Sequence, residues 1–320
     1  MEIAGRKISY SGIDFTAVGQ ALSKANYFYI LPYLIIYTLV YYFRALRWKY
    51  FMYPIKNINM RTLFTTTIIG FMGNCILPAR AGEVVRPVVI GIKEGVSKSA
   101  SFATIVVERV FDLCTLLLFS FIMLMNFSFS DGKDGTLNKQ FQEIGIAVGA
   151  IAVLLILFLV ALKFKSDLVI SLLRKIFFFI PDKIMEKLLS VIDSFIIGLG
   201  VLQNVRHLIY SSLLSLAVWL AMAASFYSMF PAFNLNLPFS SSFLIMILIA
   251  LGVAAPSSPG FIGIYQVACE MALKIVNVEP AVAKSYAIAM WTLNMIPTII
   301  AGLIFLWTGK LKFSEIQKGD

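Results

Sequence analysis

The residues best suited to chemistry interrupt an otherwise apolar part of the chain. Arg80, Glu83 and Arg86 lie between two prolines, shortly after Asn74. An ionisable side chain inside a bilayer costs about 3 kcal/mol or more unless it pairs with another charge or contacts water. A helix that begins at Gly82 would place the glutamate and the second arginine on one face, with the first arginine in the turn above. One cation is then left without a counter-charge.

This surplus cation suits an anionic group such as a lipid phosphate. Guanidinium groups bind phosphate in bidentate fashion, and the free amides of a helix N-terminus also attract anions. The alternative is an internal ion-pair network that only anchors this segment. We treat Asn74, Arg80, Glu83 and Arg86 as candidate substrate-binding residues.

A second group of charges follows in the next apolar segment. Glu108 and Asp112 are four residues apart, so a helix places both carboxylates on one face. Like charges repel unless a cation or a shared proton lies between them. The cation could be Arg80, Arg86 or Arg109. We therefore expect a buried cluster of mixed charge, and we add Glu108, Arg109 and Asp112 to the candidate substrate-binding residues.

A third candidate segment is uncharged. Ser257 and Ser258 offer hydroxyls, and Gly260 permits a tight reversal of the backbone. Gln266 and Glu270 fall near one face of the helix that follows. These five residues could bind a headgroup, or they could only satisfy backbone groups that the prolines free.

Composition places the chain in the membrane. Of its 320 residues, 59% are hydrophobic and 14% are charged, against roughly 25% charged in soluble domains. Several apolar runs reach the ~20 residues that cross a bilayer and are too long for barrel strands. The sequence predicts an all-α, polytopic helical membrane protein with about five full spans, near residues 27–43, 97–127, 144–162, 208–230 and 279–309.

The net charge of +10 comes from basic residues that flank the apolar runs, as in cytoplasmic loops. Binding to anionic lipid headgroups therefore explains the positive net charge, and nucleic-acid binding is not needed to explain it. Three scattered cysteines and one histidine give no disulfide framework and no metal motif, and no nucleotide-binding or acyl-transfer motif is seen. We expect no cofactor, no metal, no catalytic residue and no enzymatic activity.

The breaks near residues 78–87 and 256–263 decide the topology. Basic clusters at 44–61 and 163–206 are both cytoplasmic only if the first broken segment enters and leaves on the cytoplasmic side. The same argument makes the second a hairpin that enters from outside, and it leaves the C-terminus in the cytoplasm. We therefore expect two re-entrant hairpins from opposite faces.

Two hairpins from opposite faces, each followed by a long helix, predict an inverted repeat inside a single membrane domain that covers residues 1–320. The halves are about 27–127 and 206–309. A span at 141–163 and cytoplasmic amphipathic helices at 164–205 join them. The alternative is two unrelated proline-kinked spans.

These motifs resemble a known family, the flippase-like membrane domain that forms the N-terminal part of lysylphosphatidylglycerol synthetases and also occurs alone. The resemblance covers nearly the whole chain. It departs in two places: family members usually begin with one more span, and Phe261 stands where a second glycine is usual. The matching positions are Asn74, Leu77–Arg86, Glu108–Asp112, Pro256–Gly260, Gly263, Arg44, Arg47 and Trp48.

The resemblance implies a lipid transporter, a flippase of the cell membrane that moves a phospholipid or lipid-linked headgroup between leaflets. Arg80, Arg86 and Arg109 would receive the phosphate. The three acidic residues would balance this charge or contact a cationic group, so the expected partners are lipids with anionic or aminoacylated headgroups. A membrane-embedded transferase acting on a lipid-linked substrate and an ion-coupled transporter of a small solute stay open, as does a homo-oligomer.

Overall fold

A computed structural model describes residues 15–126, 204–254 and 258–309, together with positions 2–3, 6–7, 143, 146–151, 153–154 and 157. As predicted, the fold class is all-helical, and among these residues the only strands form a two-residue antiparallel pair, β1 (Glu2–Ile3) and β2 (Arg6–Lys7). The helices are α1 (Phe15–Ser23), α2 (Ile30–Met52), α3 (Met60–Ile76), α4 (Gly82–Glu94), α5 (Lys98–Asn126), α6 (Val205–Ser228), α7 (Ser240–Ala254), α8 (Ile264–Ile275) and α9 (Pro280–Thr308).

Side chains that accept hydrogen bonds from free backbone amides start several of these helices. The Asn59 side chain accepts from the amide of Arg61 at 2.9 Å and so caps α3. At α9, Glu279 accepts from two amides at 3.1 Å, and a proline occupies the first helical position, where no amide is needed. Gly95 follows the last residue of α4 and caps the helix with a left-handed φ of 65°.

Among the described residues, three helical segments are long and apolar enough to cross a membrane: Tyr27–Met52, Val205–Phe233 and Pro280–Thr308. Helix α5 is as long as α9, at 29 residues, but charged residues interrupt its middle. The predicted span at 141–163 lies mostly outside the described residues, and the amphipathic helices at 164–205 lie almost wholly outside them. The chain is a helical membrane protein, whereas the full set of spans and the sides of entry stay predictions.

Two similar units frame the molecule. The first unit is α3, a three-residue 3₁₀ turn Pro78–Arg80, α4 and the long α5. The second unit is α7, the 3₁₀ turn Pro259–Phe261, α8 and the long α9. Each unit thus breaks at a proline, folds back as a helix pair, and ends in a helix of 29 residues.

The first helix pair packs with its backbones in direct contact. A Cβ atom on Gly82 would lie 1.9 Å from the carbonyl oxygen of Gly70, a distance that only glycine allows. Near the end of α4, Lys93 donates to Thr65 near the start of α3 at 3.3 Å, so the two helices run antiparallel. This close approach fixes where α4 presents its charged side chains.

The remaining helices hold the two units together. Helix α2 packs along α6, and α3 packs against α9. Tyr286 of α9 donates to the backbone oxygen of Phe226 in α6 at 2.6 Å. The short α1 rests on α9, where Ser285 donates to the backbone oxygen of Val18 at 3.1 Å.

Candidate functional site

Charged side chains from four elements meet in one cluster beside the first helix pair. Within the described part of the chain, five arginines face three carboxylates, so the cluster has a net charge of five minus three, or +2. Helices α2, α4 and α5 and the Pro78–Arg80 turn contribute to it. Its members are Arg44, Arg47, Arg80, Glu83, Arg86, Glu108, Arg109 and Asp112.

Glu108 is the buried centre of the cluster. Its carboxylate is fully buried and binds Arg86 through two nearly parallel contacts of 3.1 and 3.3 Å. Arg47 approaches the same carboxylate to 3.2 Å and Arg109 to 2.9 Å. The Arg86 guanidinium also lies 4.2 Å from the ring centre of Trp48, a cation–π contact that fixes its plane.

Asp112 lies one turn further along α5 and has its own partners. Arg47 donates to it at 2.7 Å, and Arg109 approaches to 3.1 Å. The indole of Trp219 in α6 donates at 3.3 Å. Because the same two arginines contact both carboxylates of α5, they offset the repulsion between these like charges. The expected cluster of mixed charge is therefore present.

Two cations of the cluster, Arg44 and Arg47, come from a helix that the sequence did not predict to contribute to it. The sequence predicts that Arg44 and Arg47 belong to a cytoplasmic basic cluster that follows the first span, but α2 continues to Met52 and buries both side chains. They are 5% and 0% exposed. Their spacing of three residues on an apolar helix places them on one face. The predicted end of the first span near residue 43 was wrong, because the helix does not end at its first charge.

Three charged side chains form an accessible rim above the buried centre. Arg80, Glu83 and Arg109 have side chains that are 30%, 25% and 31% exposed. Glu83 is shared, since it lies 3.9 Å from the guanidinium of one arginine and 3.6 Å from that of the other. These loose contacts leave guanidinium N–H groups for a further anion.

The tip of the second helix pair reaches this rim. Arg80 adopts a left-handed φ of 56°, and its guanidinium lies 5.7 Å from the ring centre of Phe261. Gly260 also has positive φ, and a Cβ atom there would lie 3.2 Å from the backbone oxygen of Cys75. The two 3₁₀ turns thus meet tip to tip.

A cavity of about 430 Å³ opens between the two units. Its charged wall carries Arg44, Arg109 and Asp112 beside the two rim residues of the first helix pair. The remaining wall is mainly apolar and comes from α5, α6 and α7. The apolar side chains include Leu113, Leu116, Met222, Phe226, Met246, Ile249, Ala250 and Val253.

The structure divides the residues proposed from sequence into three groups. Those that line the cavity are Asn74, Arg80, Glu83, Arg109 and Asp112. Arg86 and Glu108 lie beneath them, 3% and 0% exposed. Glu108 contacts Arg109, which lines the cavity, and neither Glu108 nor Arg86 lines the cavity itself.

The remaining candidates belong to the second unit and have local partners. Ser258 donates to the backbone oxygen of Ile262 at 2.9 Å, and Gln266 accepts from the Gly263 amide at 2.8 Å. These contacts shape the turn and cap α8.

Two further candidates of this unit are also engaged. Glu270 pairs with Lys274 at 2.7 Å and approaches Lys284 to 4.0 Å, and the Gly260 carbonyl accepts from Trp291 at 2.7 Å. None of these described candidates lines the cavity. Ser257 lies outside the described residues, so its role stays a prediction.

Sequence reasoning overlooked two tyrosines of the cavity wall. Tyr37 and Tyr41 of α2 line the cavity together with Tyr265 and Asn294, both of which the sequence indicates as polar positions in the second unit. The signal was present, because Tyr33, Tyr37 and Tyr41 recur every four residues and so share a helix face. An aromatic stripe at this spacing also fits the apolar face of a membrane span, so the spacing alone does not indicate a cavity wall. Within the described ranges, no group of acidic, histidine or cysteine residues could hold a metal.

Comparison with known proteins identifies the class. Residues 7–302 match the family described as the lysylphosphatidylglycerol synthase TM region, and the chain belongs to this family. This confirms the resemblance drawn from the motifs. No solved structure matches the chain.

Relatives include proteins that are named as membrane proteins. The chain is 28% identical over 334 residues to the UPF0104 membrane protein PH1989 of Pyrococcus horikoshii, covering 96% of this chain and 94% of that protein. It is 25% identical over 236 residues to the UPF0104 membrane protein MJ1078 of Methanocaldococcus jannaschii, covering 73% and 92%. It is also 24% identical over 318 residues to glycosyltransferase AglD of Haloferax volcanii, covering 91% of this chain but only 50% of AglD.

Proposed function

We propose that this chain is a lipid transporter that moves phospholipids or lipid-linked headgroups between membrane leaflets. The observation that carries the proposal is the division of one cavity into a cationic wall and an apolar wall. An anionic lipid has the same division, because its phosphate is charged and its chains are not. The cavity can therefore hold a headgroup at the arginines while the first part of an acyl chain contacts α5 and α7.

The charge of the cluster supports an anionic occupant. Three carboxylates leave two of the five arginine charges uncompensated. A net buried cation in a membrane protein is costly unless an anion joins it. A phosphate at Arg80 and Arg109 would supply that anion, and the buried Glu108 would keep their neighbours in position.

The two units suggest how transport proceeds. Both break at a proline, fold back, and end in long helices, and their turns meet beside the cavity. We infer that the helix pairs are re-entrant hairpins from opposite faces of an inverted repeat, and that one unit moves against the other to open the cavity to each leaflet in turn. The tip contact between Arg80 and Phe261 would then be made in one state and broken in the other.

Translocation in proteoliposomes tests the proposal. The full chain is reconstituted with a fluorescent phosphatidylglycerol, and the fraction of label that an external reductant quenches is followed over time. We expect Arg80→Ala to slow translocation about tenfold or more, since a charged hydrogen bond contributes about 1.5–3 kcal/mol. Arg61→Ala removes an exposed arginine at the start of α3 that does not line the cavity, and it should leave the rate unchanged.

Two results would overturn this assignment. Equal rates in empty and protein-containing vesicles would remove the transport activity. An unchanged rate in Arg80→Ala would remove the site.

A membrane-embedded transferase is the second candidate, because AglD is named a glycosyltransferase. Transfer chemistry would require a carboxylate free to act as a base. Glu108 is fully buried among three arginines, which argues against it, whereas Asp112 does line the cavity. A new lipid species in the mass spectrum of expressing cells, absent with Asp112→Asn, would favour the transferase.

A further inference from the structure

An uncharged polar surface lines the cavity apart from the arginines. The Tyr37 hydroxyl donates to the side-chain oxygen of Asn294, and the Asn294 amide donates to Tyr33 at 3.0 Å and to Tyr265 at 3.1 Å. One amide on α9 therefore fixes three tyrosine hydroxyls from α2 and α8. Of these four residues, all except Tyr33 line the cavity.

Tyr265 has a hydrogen-bond donor to spare. A tyrosine hydroxyl carries one proton and two lone pairs. Tyr265 accepts from Asn294, but its own proton has no acceptor among the residues that the structure describes. Buried polar groups in folded proteins are nearly always paired, so a free donor on a cavity wall is available to an occupant that accepts.

A spare acceptor lies on the same cavity wall. The side-chain oxygen of Asn294 accepts from Tyr37 and keeps a second lone pair, and Asn294 lines the cavity beside Tyr265. The cavity therefore offers both a donor and an acceptor from uncharged side chains. A hydroxyl group matches this pair, since it donates and accepts at once. An ammonium group does not match the Tyr265 donor.

The uncharged surface lies close to the charged wall. The ring of Phe71 separates them, with the Arg44 guanidinium 5.0 Å from the ring centre and the Tyr41 ring 5.3 Å from it. A single headgroup can therefore reach both surfaces. Its phosphate would meet the arginines and its hydroxyls would meet the tyrosines.

We propose that the headgroup is a polyol or sugar joined to the lipid through a phosphodiester, and that Tyr265 and Asn294 bind its hydroxyls. This inference rests on the proposed function, because it names the class of headgroup that the same cavity binds. Asn294 acts both as a ligand and as the residue that orients Tyr265. The arginines provide affinity for any phosphodiester, whereas the tyrosines distinguish among headgroups.

Two anionic lipids that differ in hydroxyl content test this. The full chain is equilibrated in phosphatidylcholine vesicles that contain either phosphatidylinositol or phosphatidylethanol, and bound lipid is measured by native mass spectrometry. Both lipids carry one phosphodiester charge, but only phosphatidylinositol has free hydroxyls. We expect a preference for phosphatidylinositol of about tenfold, and Tyr265→Phe should reduce it about fivefold without changing phosphatidylethanol binding.

Tyr33→Phe is the matched control. Its hydroxyl accepts from the same amide, but Tyr33 is fully buried and does not line the cavity. The preference should survive this change. An equal loss in both variants would show that the network is only structural and would overturn the inference.

The outcomes also separate this inference from the proposed function. Equal binding of the two lipids, lowered for both by Arg80→Ala, would overturn the polyol site and leave the phosphate site intact. Binding of neither lipid would overturn both.

Discussion

The two units have the same shape and opposite chemistry. The first unit carries Arg80, Glu83 and Arg86 in and after its turn, and the second carries no charge in Pro259–Phe261. In the first unit, ion pairs to α5 and α2 fix the helix pair. In the second, backbone and aromatic contacts such as Trp291 to the Gly260 carbonyl fix it. One architecture thus carries a charged turn in the first unit and an uncharged turn in the second.

The largest difference in stability between the two units is expected when one carboxylate in each unit is replaced. Glu108→Gln would leave three arginines, two of them buried, without their shared counter-charge, and we expect a loss of about 3–5 kcal/mol, seen as low folded yield and a lower Tm in detergent. Glu270→Gln breaks a partly exposed pair with Lys274 and should cost less than about 1 kcal/mol. Similar Tm values for the two variants would contradict the central position of Glu108.

Glycines in the two helix pairs provide the next contrast. Gly82→Ala would drive a Cβ atom to 1.9 Å from the Gly70 carbonyl oxygen, so we expect the first pair to separate at a cost of about 1–3 kcal/mol. Gly252→Ala in α7 meets its nearest atom at an ordinary 3.4 Å and should be neutral or slightly stabilising. Thermal unfolding of both variants checks this prediction. An unchanged Tm in Gly82→Ala would show that the backbones of α3 and α4 do not approach so closely.

Arg80 should separate stability from function. Its left-handed backbone costs on the order of 1 kcal/mol, which glycine would not incur. Arg80→Gly should therefore keep or slightly raise Tm while slowing translocation about tenfold. Arg80→Ala should slow translocation equally without the gain in Tm. If Arg80→Gly transported normally, the arginine would serve only the fold.

The smallest effect is expected at the contact between the tips. Phe261→Leu removes the aromatic ring below Arg80 but keeps an apolar side chain, and an exposed cation–π contact contributes about 0.5–1 kcal/mol. We expect a change of a few degrees in Tm and up to about fivefold in translocation rate. No change in either measurement would show that the tips need not touch.

Much of the architecture could be predicted from patterns along the chain. Apolar runs bounded by prolines gave the two broken helix pairs, because a proline removes a backbone donor and ends a helix wherever it occurs. The four-residue spacing of Glu108 and Asp112 predicted a cluster of mixed charge, because helical geometry alone sets which side chains are neighbours. Local rules were sufficient for both.

Contacts between distant helices were not predictable in this way. Arg44 and Arg47 look like the end of a span, and only the packing of α2 against α5 and α6 shows that they are buried. Gln266 and Glu270 share a helix region with Tyr265, yet only Tyr265 lines the cavity. Spacing gives the face of a helix, whereas the tertiary fold decides what that face meets.

The most direct test is a structure of the chain in nanodiscs that contain phosphatidylglycerol. We expect density for a phosphate within hydrogen-bonding distance of Arg80 or Arg109, with an acyl chain against Leu113 and Leu116. Lipid density confined to the outer surface of the helices, with only water in the cavity, would contradict the assignment of this cavity to a lipid headgroup.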